Sequence, residues 1–242
     1  MEEIFNRLEL LIGKEKVEDL HRKSVAVFGL GGVGSYVVEG LARSGIGDFI
    51  LIDGDKVDIT NINRQIIATT KTVGKEKVDV EEERIKEINP NAKVIRYAEF
   101  VTGIESNLEL FNAIKNVDYI IDAIDTVSSK IRIIEFAKEN NIPVISALGT
   151  GNKLDPTQLK IADIYDTKIC PLAKVMRKEL KKRKINSLDV IYSEEEPIKI
   201  LDADECNKNE DTKKIKKIGS IAFVPSVAGL LISYKVISEL LK

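Results

Sequence analysis

The segment Ser24–Gly34, SVAVFGLGGVG, constrains the fold more than any other part of the chain. Ser24–Gly29 is a short run without charge, as expected of a parallel strand covered on both faces. It flows into Gly29-Leu30-Gly31-Gly32-Val33-Gly34, and helical sequence continues from about Gly32 to Arg43. Strand, glycine turn and helix in that order are the context in which G-x-G-x-x-G cradles phosphate. Gly29 permits the tight turn, Gly31 and Gly32 let backbone approach a phosphate, and Gly34 lets helix and strand pack closely. The helix N-terminus adds free N–H groups and partial positive charge. The next strand, Phe49–Ile52, ends at Asp53, 19 residues after Gly34. That is close to the ~20 expected of a ribose-binding acid. The turn alone does not separate a dinucleotide from ATP, and its bland reading is a glycine turn with no ligand.

The pattern repeats down the chain. An amphipathic helix over Glu2–Leu20 precedes the first strand, with Leu8, Leu11, Ile12 and Leu20 near a 3.6 period. Helix is predicted over Gly74–Asn89, ending before Pro90, then strand over Val94–Tyr97 and Tyr119–Asp122. Val127–Asn140 reads as helix and Pro143–Leu148 as a fifth strand. Alternating βα units predict an α/β fold with a doubly wound, mostly parallel, Rossmann-like sheet and right-handed crossovers. A C-terminal αβ extension starts at residue 151: strands at Leu159–Ile164 and Val190–Tyr192 around a helix at Pro171–Lys184. Asp202–Lys217 has mixed charge and no period and reads as a mobile loop; a last helix runs from Pro225 to Leu241. The expectation is a single domain over 1–242, with a nucleotide-binding core over 1–150.

The residues after Asp53 exceed the needs of a dinucleotide site. Asp55, Asn61, Asn63, Arg64 and Gln65, then Lys77 at a helix start, collect near the C-terminal edge of the sheet. A triphosphate carries more charge than a pyrophosphate bridge, and Arg offers it a planar fork where Lys offers a point charge. Asp122 and Asp125 end the fourth strand. A carboxylate beside phosphates makes sense as a Mg²⁺ ligand. Its competing reading is helix N-capping before Val127, stronger for Asp122 than for Asp125.

Composition matters by what it withholds. The chain has one His, two Cys and no Trp among 242 residues, with a net charge of -2. A His pair for metal or acid–base work, a four-Cys zinc site and a disulfide scaffold are excluded. RNA binding by aromatic stacking has few side chains to use. The start, MEEIFNRLELLIGKEK, has no basic n-region with an apolar stretch after it, so no targeting segment is expected. Gly219–Tyr234 is uncharged for 16 residues, short of the ~20 of a membrane span, and is expected to be a buried helix without stable membrane insertion.

Taken together, Gly29–Gly34, Asp53-x-Asp55, Asn61-x-Asn63-Arg64-Gln65, Val73-Gly74-x-x-Lys77, Ile88-Asn89-Pro90 and Asp122-x-x-Asp125 resemble the adenylating enzymes related to ubiquitin-activating enzyme, ThiF and MoeB among them. The resemblance implies that Asp53 holds ribose, that Arg64, Gln65 and Lys77 hold phosphates, that Asp125 serves Mg²⁺, and that Asp55 and Asn61 line the nucleotide site. ThiF- and MoeB-like proteins usually carry two Cys-x-x-Cys zinc pairs, whereas this chain has only Cys170 and Cys206, 36 residues apart. Residues 5–13, Ala42–Gly47, Val57–Thr60, Asn152–Thr157, Pro171–Arg177 and Ala222–Gly229 are instead similar to the TcdA family, the tRNA threonylcarbamoyladenosine dehydratases. That resemblance implies ATP-dependent cyclisation of threonylcarbamoyladenosine next to the tRNA anticodon. The threonine carboxylate is adenylated, and the side chain's own carbamoyl group then attacks it. Arg64, Lys77, Asp125 and Arg7 are the expected catalytic residues.

The resemblance further implies a homodimeric, cytoplasmic enzyme in which Arg7 crosses onto the partner subunit's ATP; the bland reading is an ion pair with Glu3. Lys174, Arg177, Lys178, Lys181, Lys182, Arg183 and Lys184 face only Glu179 in eleven residues, which reads as a tRNA-backbone contact or as a solvated helix face. Lys213, Lys214, Lys216 and Lys217 form a weaker second cluster. Cys170 before Pro171 reads as a helix cap ahead of a nucleophile, Cys206 as a loop thiol, and His21 as a helix-terminal residue. Three alternatives stand beside this reading. The first is an adenylyltransferase for a ubiquitin-like sulfur carrier, the second an NAD-dependent oxidoreductase, the third a scaffold passing sulfur between protein partners.

Overall fold

A computed structural model describes residues 3–199 and 218–242. Seven strands form one sheet in the order β3-β2-β1-β4-β5-β7-β6. They are β1 (Ser24–Phe28), β2 (Asp48–Ile52), β3 (Lys93–Tyr97), β4 (Tyr119–Asp122), β5 (Val144–Ala147), β6 (Leu159–Asp163) and β7 (Asp189–Ser193). All neighbouring pairs are parallel except β6 with β7. The chain winds outward from β1 to β3 and then returns to the far side of β1, so the order reverses between β1 and β4. Ligands bind at such a switch point, beyond the strands' C-terminal ends.

The helices are α1 (Asn6–Ile12), α2 (Lys14–Leu20), α3 (Gly34–Arg43), α4 (Lys77–Ile88), α5 (Leu108–Ala113), α6 (Val127–Glu139), α7 (Pro171–Lys182) and α8 (Phe223–Leu240). Side-chain alternation on β1 splits the core in two. Val25 and Val27 face α3, α4 and α8, while Ala26 and Phe28 face α5, α6 and α7. This double cover explains why β1, β2, β4 and β5 read as unbroken apolar runs. The outermost β3 is largely open to solvent, as an edge strand is.

Four expectations need correction. The helix over Glu2–Leu20 is two helices, because Gly13 adopts φ 88 and closes α1 through its N–H to Glu9 O at 2.8 Å. The expected apolar stripe is therefore not buried as a unit: α1 buries no residue, and Leu10 and Leu11 stand 87% and 83% exposed. The helix expected from Gly74 begins at Lys77, since Gly74 (φ 88) turns the chain and Glu76 bridges to Lys56. The last helix begins at Phe223, with Pro225 still in its first turn, where a backbone N–H has no partner to lose. Finally, α5 has no counterpart among the expected elements; at six residues it is too short to show a period, yet it buries Leu110 and Phe111.

The C-terminal helix is long and apolar enough to cross a membrane by length and composition, with mean hydropathy 1.4. It lies instead along α3 and buries Val224, Ala228, Ile232 and Val236. Gly229 makes the close approach possible, because a Cβ there would press on the Val33 carbonyl and on Tyr36. The outer face, with Leu230 and Tyr234, is exposed, so the helix expected to be buried is buried on one side. His21 follows α2 and meets Phe5 edge-on at 5.0 Å, the helix-terminal role expected of it. The segment Asp202–Lys217, with Cys206 and the second lysine cluster, lies outside the described residues.

Candidate active site

At the switch point the ends of β1, β2, β4 and β5 open into a cleft of about 1060 Å³. Its floor is the glycine turn. Gly29 holds φ 86, and a Cβ on Gly34 would overlap the Gly29 carbonyl oxygen, so α3 starts hard against the turn. Gly32 is roofed by Pro225 and Arg64, to which a Cβ would approach at 3.1 and 3.3 Å. The carboxylate of Asp53 fixes this floor: Oδ2 accepts the Leu30 N–H at 2.7 Å and Oδ1 the Asp55 N–H at 2.8 Å.

The cationic wall is already in place. Lys77 Nζ is buried and lies 2.9 Å from Asp55 Oδ2 and 3.5 Å from Asp53 Oδ1. Arg64 is half-buried at the rim and donates to Thr60 O at 2.7 Å and Asn63 Oδ1 at 2.9 Å. Asn61 is held in a short 3₁₀ turn by a reciprocal cap with Asp58, whose N–H reaches Asn61 Oδ1 at 3.1 Å. Gln65 is buried behind them and lines the cleft; its Oε1 is itself buried and has no partner among the described residues. These residues fit a nucleoside triphosphate: two cations and a glycine cradle converge on one cavity.

Asp125 faces the same cleft from the turn before α6 and is exposed. The N-cap of α6 is Thr126, with no side-chain cap bond, so neither aspartate performs the capping that competed with metal ligation. Asp122 is fully buried in a network that the sequence reading missed. Lys130 Nζ donates to Asp122 Oδ2 at 2.9 Å, Ser146 Oγ at 3.1 Å and Ala147 O at 2.8 Å. Ser146 Oγ also donates to Asp122 Oδ2 at 2.6 Å. The one available signal was Lys130 on the apolar side of α6, which a periodicity search reads as a defect.

Other features also escaped the sequence reading. Phe100 covers Gly54 beside Asp53. The loop Gly149–Thr150–Gly151 lines the same cleft as Asp125, and so does Phe100. Glu81, on the turn of α4 after Lys77, is fully buried with both carboxylate oxygens unpartnered. Burial pushes its pKa well up, helped by the nearby charge of Glu39. Burial also pushes Glu39 upward, but hydrogen bonds from Arg84 and Arg43 prevail and hold it below its usual value.

Arg7 is on exposed α1, does not line the cleft of its own chain, and makes no ion pair with Glu3 or any other described residue. The basic cluster on α7 divides. Arg177 is turned inward to Thr167 O at 3.1 Å and to Thr167 Oγ1, which takes it out of the solvent-facing set. Arg183 pairs with Glu135 at 2.8 Å and Glu179 at 2.9 Å, and Lys182 with Glu179 at 2.7 Å. Lys181 lies over the Tyr165 ring at 5.6 Å. Lys174, Lys178 and Lys184 are exposed, and Leu172 brings the start of the same helix to the cleft. Cys170 is buried at the N-cap of α7, without a side-chain cap bond and outside the cleft lining.

A doubly wound sheet with a phosphate-binding turn and this cationic wall defines a class of nucleotide-dependent enzymes, and the family model described as ThiF family matches residues 5–242. The chain belongs to the ThiF family. It is 46% identical over 243 residues to a tRNA threonylcarbamoyladenosine dehydratase of Bacillus subtilis, covering 98% of this chain and 94% of that protein. It is 36% identical over 250 residues to the enzyme of the same name in Haemophilus influenzae, covering 100% and 94%. Among solved structures, Escherichia coli tRNA N6-threonylcarbamoyladenosine dehydratase in complex with ATP superposes with a TM-score of 0.84 at 32% identity, over 98% of this chain and 93% of that one.

Proposed function

We propose that the chain is an ATP-dependent tRNA threonylcarbamoyladenosine dehydratase, which closes the threonylcarbamoyl side chain of the modified adenosine into a ring. The observation that carries this reading is the near full-length likeness to dehydratases from two bacteria, joined to a cleft whose described lining contains neither His nor Cys. Such a cleft suits a reaction whose nucleophiles both belong to the substrate. The threonine carboxylate oxygen bonds to the ATP α-phosphorus and pyrophosphate leaves. The carbamoyl group then attacks the activated carbonyl carbon, loses a proton, and AMP departs with the former carboxylate oxygen. Closure within one side chain has a high effective molarity, worth on the order of 7–11 kcal/mol at best.

The roles of individual residues follow from their chemistry. Gly29, Gly31, Gly32 and Gly34 seat the phosphates together with Gln65; Asp53 holds the ribose, and Asp55 and Asn61 line the nucleotide site. Arg64 and Lys77 take up charge that develops on the leaving pyrophosphate. Arg64 donates to Thr60 O and Asn63 Oδ1, which hold the guanidinium at the rim of the cleft. Asp125, unpaired with any described cation, would hold Mg²⁺, which offsets phosphate charge when bound. The exposed Leu10 and Leu11 beside Arg7 support a homodimer in which α1 packs on a second copy and Arg7 reaches the partner's nucleotide. Exposed Lys174, Lys178 and Lys184 support tRNA-backbone contact, and the exposed Lys181 and Lys182 extend the same face. The whole of 1–242 is read as one cytoplasmic domain.

The test is to incubate the chain with ATP, Mg²⁺ and tRNA bearing threonylcarbamoyladenosine, then digest and weigh the nucleoside. Loss of one water with stoichiometric AMP and pyrophosphate is expected. An unchanged nucleoside, with adenylation of a ubiquitin-like protein's C-terminus instead, would overturn the reading in favour of the sulfur-carrier alternative.

A further inference from the structure

Lys130 is one of the largest fully buried side chains in the molecule, and an ammonium is rarely found there unless something needs it. All three of its protons have acceptors, and those acceptors come from two different strands. Asp122 closes β4, and Ser146 and Ala147 close β5. Its own backbone N–H bonds Thr126 O at 3.0 Å, one turn back toward Asp125. Lys130 therefore binds together the ends of two strands and the first turn of α6.

Each tied point opens directly into a cleft wall. After Asp122 the chain runs through Ala123, Ile124 and Asp125, and after Ala147 through Leu148, Gly149, Thr150 and Gly151; all seven line the cleft. The β4–β5 ladder ends with Asp122 opposite Ser146, so the ladder does not fix the two loops beyond that pair. The next carbonyl of β5, Ala147 O, is taken by Lys130. An apolar side chain of the same length would fill the space without fixing these directions, which makes packing alone a poor explanation for a buried ion pair.

We propose that Lys130 is a positioning residue of the adenylation step. It sets the gap between the Asp125 turn and the Gly149–Gly151 loop, across which the carboxylate must meet the α-phosphate. It touches neither reactant. The nucleotide is held mainly from the other side of the switch point, by the glycine turn, Asp53, Arg64 and Lys77. Loss of Lys130 is therefore felt in turnover and not in ATP affinity. This inference rests on the proposed dehydratase reaction for its kinetic consequence, but its geometric half can be measured without any turnover.

The test uses the neutral double variant Lys130→Met with Asp122→Asn, which removes the ion pair without stranding a buried charge, in the full chain. Amide exchange is followed by mass spectrometry, ATP binding by calorimetry, and AMP release on modified tRNA at saturating ATP. The expected result is faster exchange in both 123–126 and 148–151, with the interior of β1 and β2 unchanged. ATP affinity should stay within about threefold while the maximal rate falls tenfold or more, a split that a simple loss of stability would not produce. Unchanged exchange in the two loops, or a maximal rate equal to wild type, overturns the proposal. If the wild-type chain leaves the modified tRNA untouched, the dehydratase reading fails, and the exchange result still decides whether Lys130 holds the two walls.

Discussion

At the scale of single residues, Lys77 and Glu81 lie one turn apart on α4 and face opposite demands. Lys77 donates to Asp55 and lies beside Asp53 while lining the nucleotide cleft. Its replacement, Lys77→Met, is expected to slow adenylation by ~10²–10³, the usual cost of one preorganised charge-stabilising donor, read as the rate of pyrophosphate formation with modified tRNA. Glu81 has no partner among the described residues, and burial raises its folded-state pKa well above the ordinary 4.5. The neutral acid is thus the form the fold tolerates. Its contribution is fully present below pH 4.5 and is lost as pH rises from there toward the raised folded value. Wild-type stability should decline across that window by up to about 1.4 kcal/mol per pH unit from this group. The variant Glu81→Met should remove that decline and gain about 1–3 kcal/mol at neutral pH, measured by urea unfolding at several pH values. Equal slopes in both proteins would mean that Glu81 finds a partner in solution.

Among the elements, legibility tracked burial. β1, β2, β4 and β5 are covered on both faces and announced themselves as apolar runs, and the glycine turn announced the cleft. Asp53 was readable from its fixed spacing after the glycine turn, although its partner Leu30 lies 23 residues away, and Asn61 from its place in a short local motif with Asp58. The features that stayed hidden depend on contacts distant in sequence. Lys130 meets Ser146 and Ala147 sixteen and seventeen residues away. Gly149–Gly151 becomes a wall only once β5 is placed beside β4. The split of α1 from α2 was hidden for a different reason, since a glycine inside a periodic run is compatible with a continuing helix until its φ is known. The basic run on α7 was visible, but which charges point outward was not, because Arg177 turns in to Thr167. With Arg177 turned inward, the proposed tRNA contact falls to the exposed lysines. Replacing Lys174, Lys178 and Lys184 together by Ala should weaken tRNA binding and make its salt dependence shallower by ~0.7–0.9 per lost phosphate contact. A slope equal to wild type in filter binding would make α7 a solvated face.

For the whole molecule, features that one chain leaves unused include the outward leucines of α1, Arg7, which has no ion pair among the described residues, and the exposed outer face of α8. The proposed second copy would account for the first two together. Inactive Arg7→Ala and Arg64→Ala chains, unfolded, mixed and refolded, should regain about a quarter of wild-type activity, because half the dimers are mixed and each has one intact site. No recovery would overturn the crossing of Arg7 onto the partner's nucleotide. The scarcity of His and Cys fits a molecule that positions two reactants and stabilises phosphate charge while the substrate supplies both nucleophiles. The most direct measurement is therefore isotopic: tRNA whose threonylcarbamoyl carboxylate carries heavy oxygen is turned over with ordinary ATP, and the products are weighed. Acyl-adenylate chemistry predicts one heavy oxygen in AMP and none in pyrophosphate for each ring closed. Heavy oxygen in pyrophosphate or inorganic phosphate, or ring closure that leaves AMP unlabelled, would contradict it.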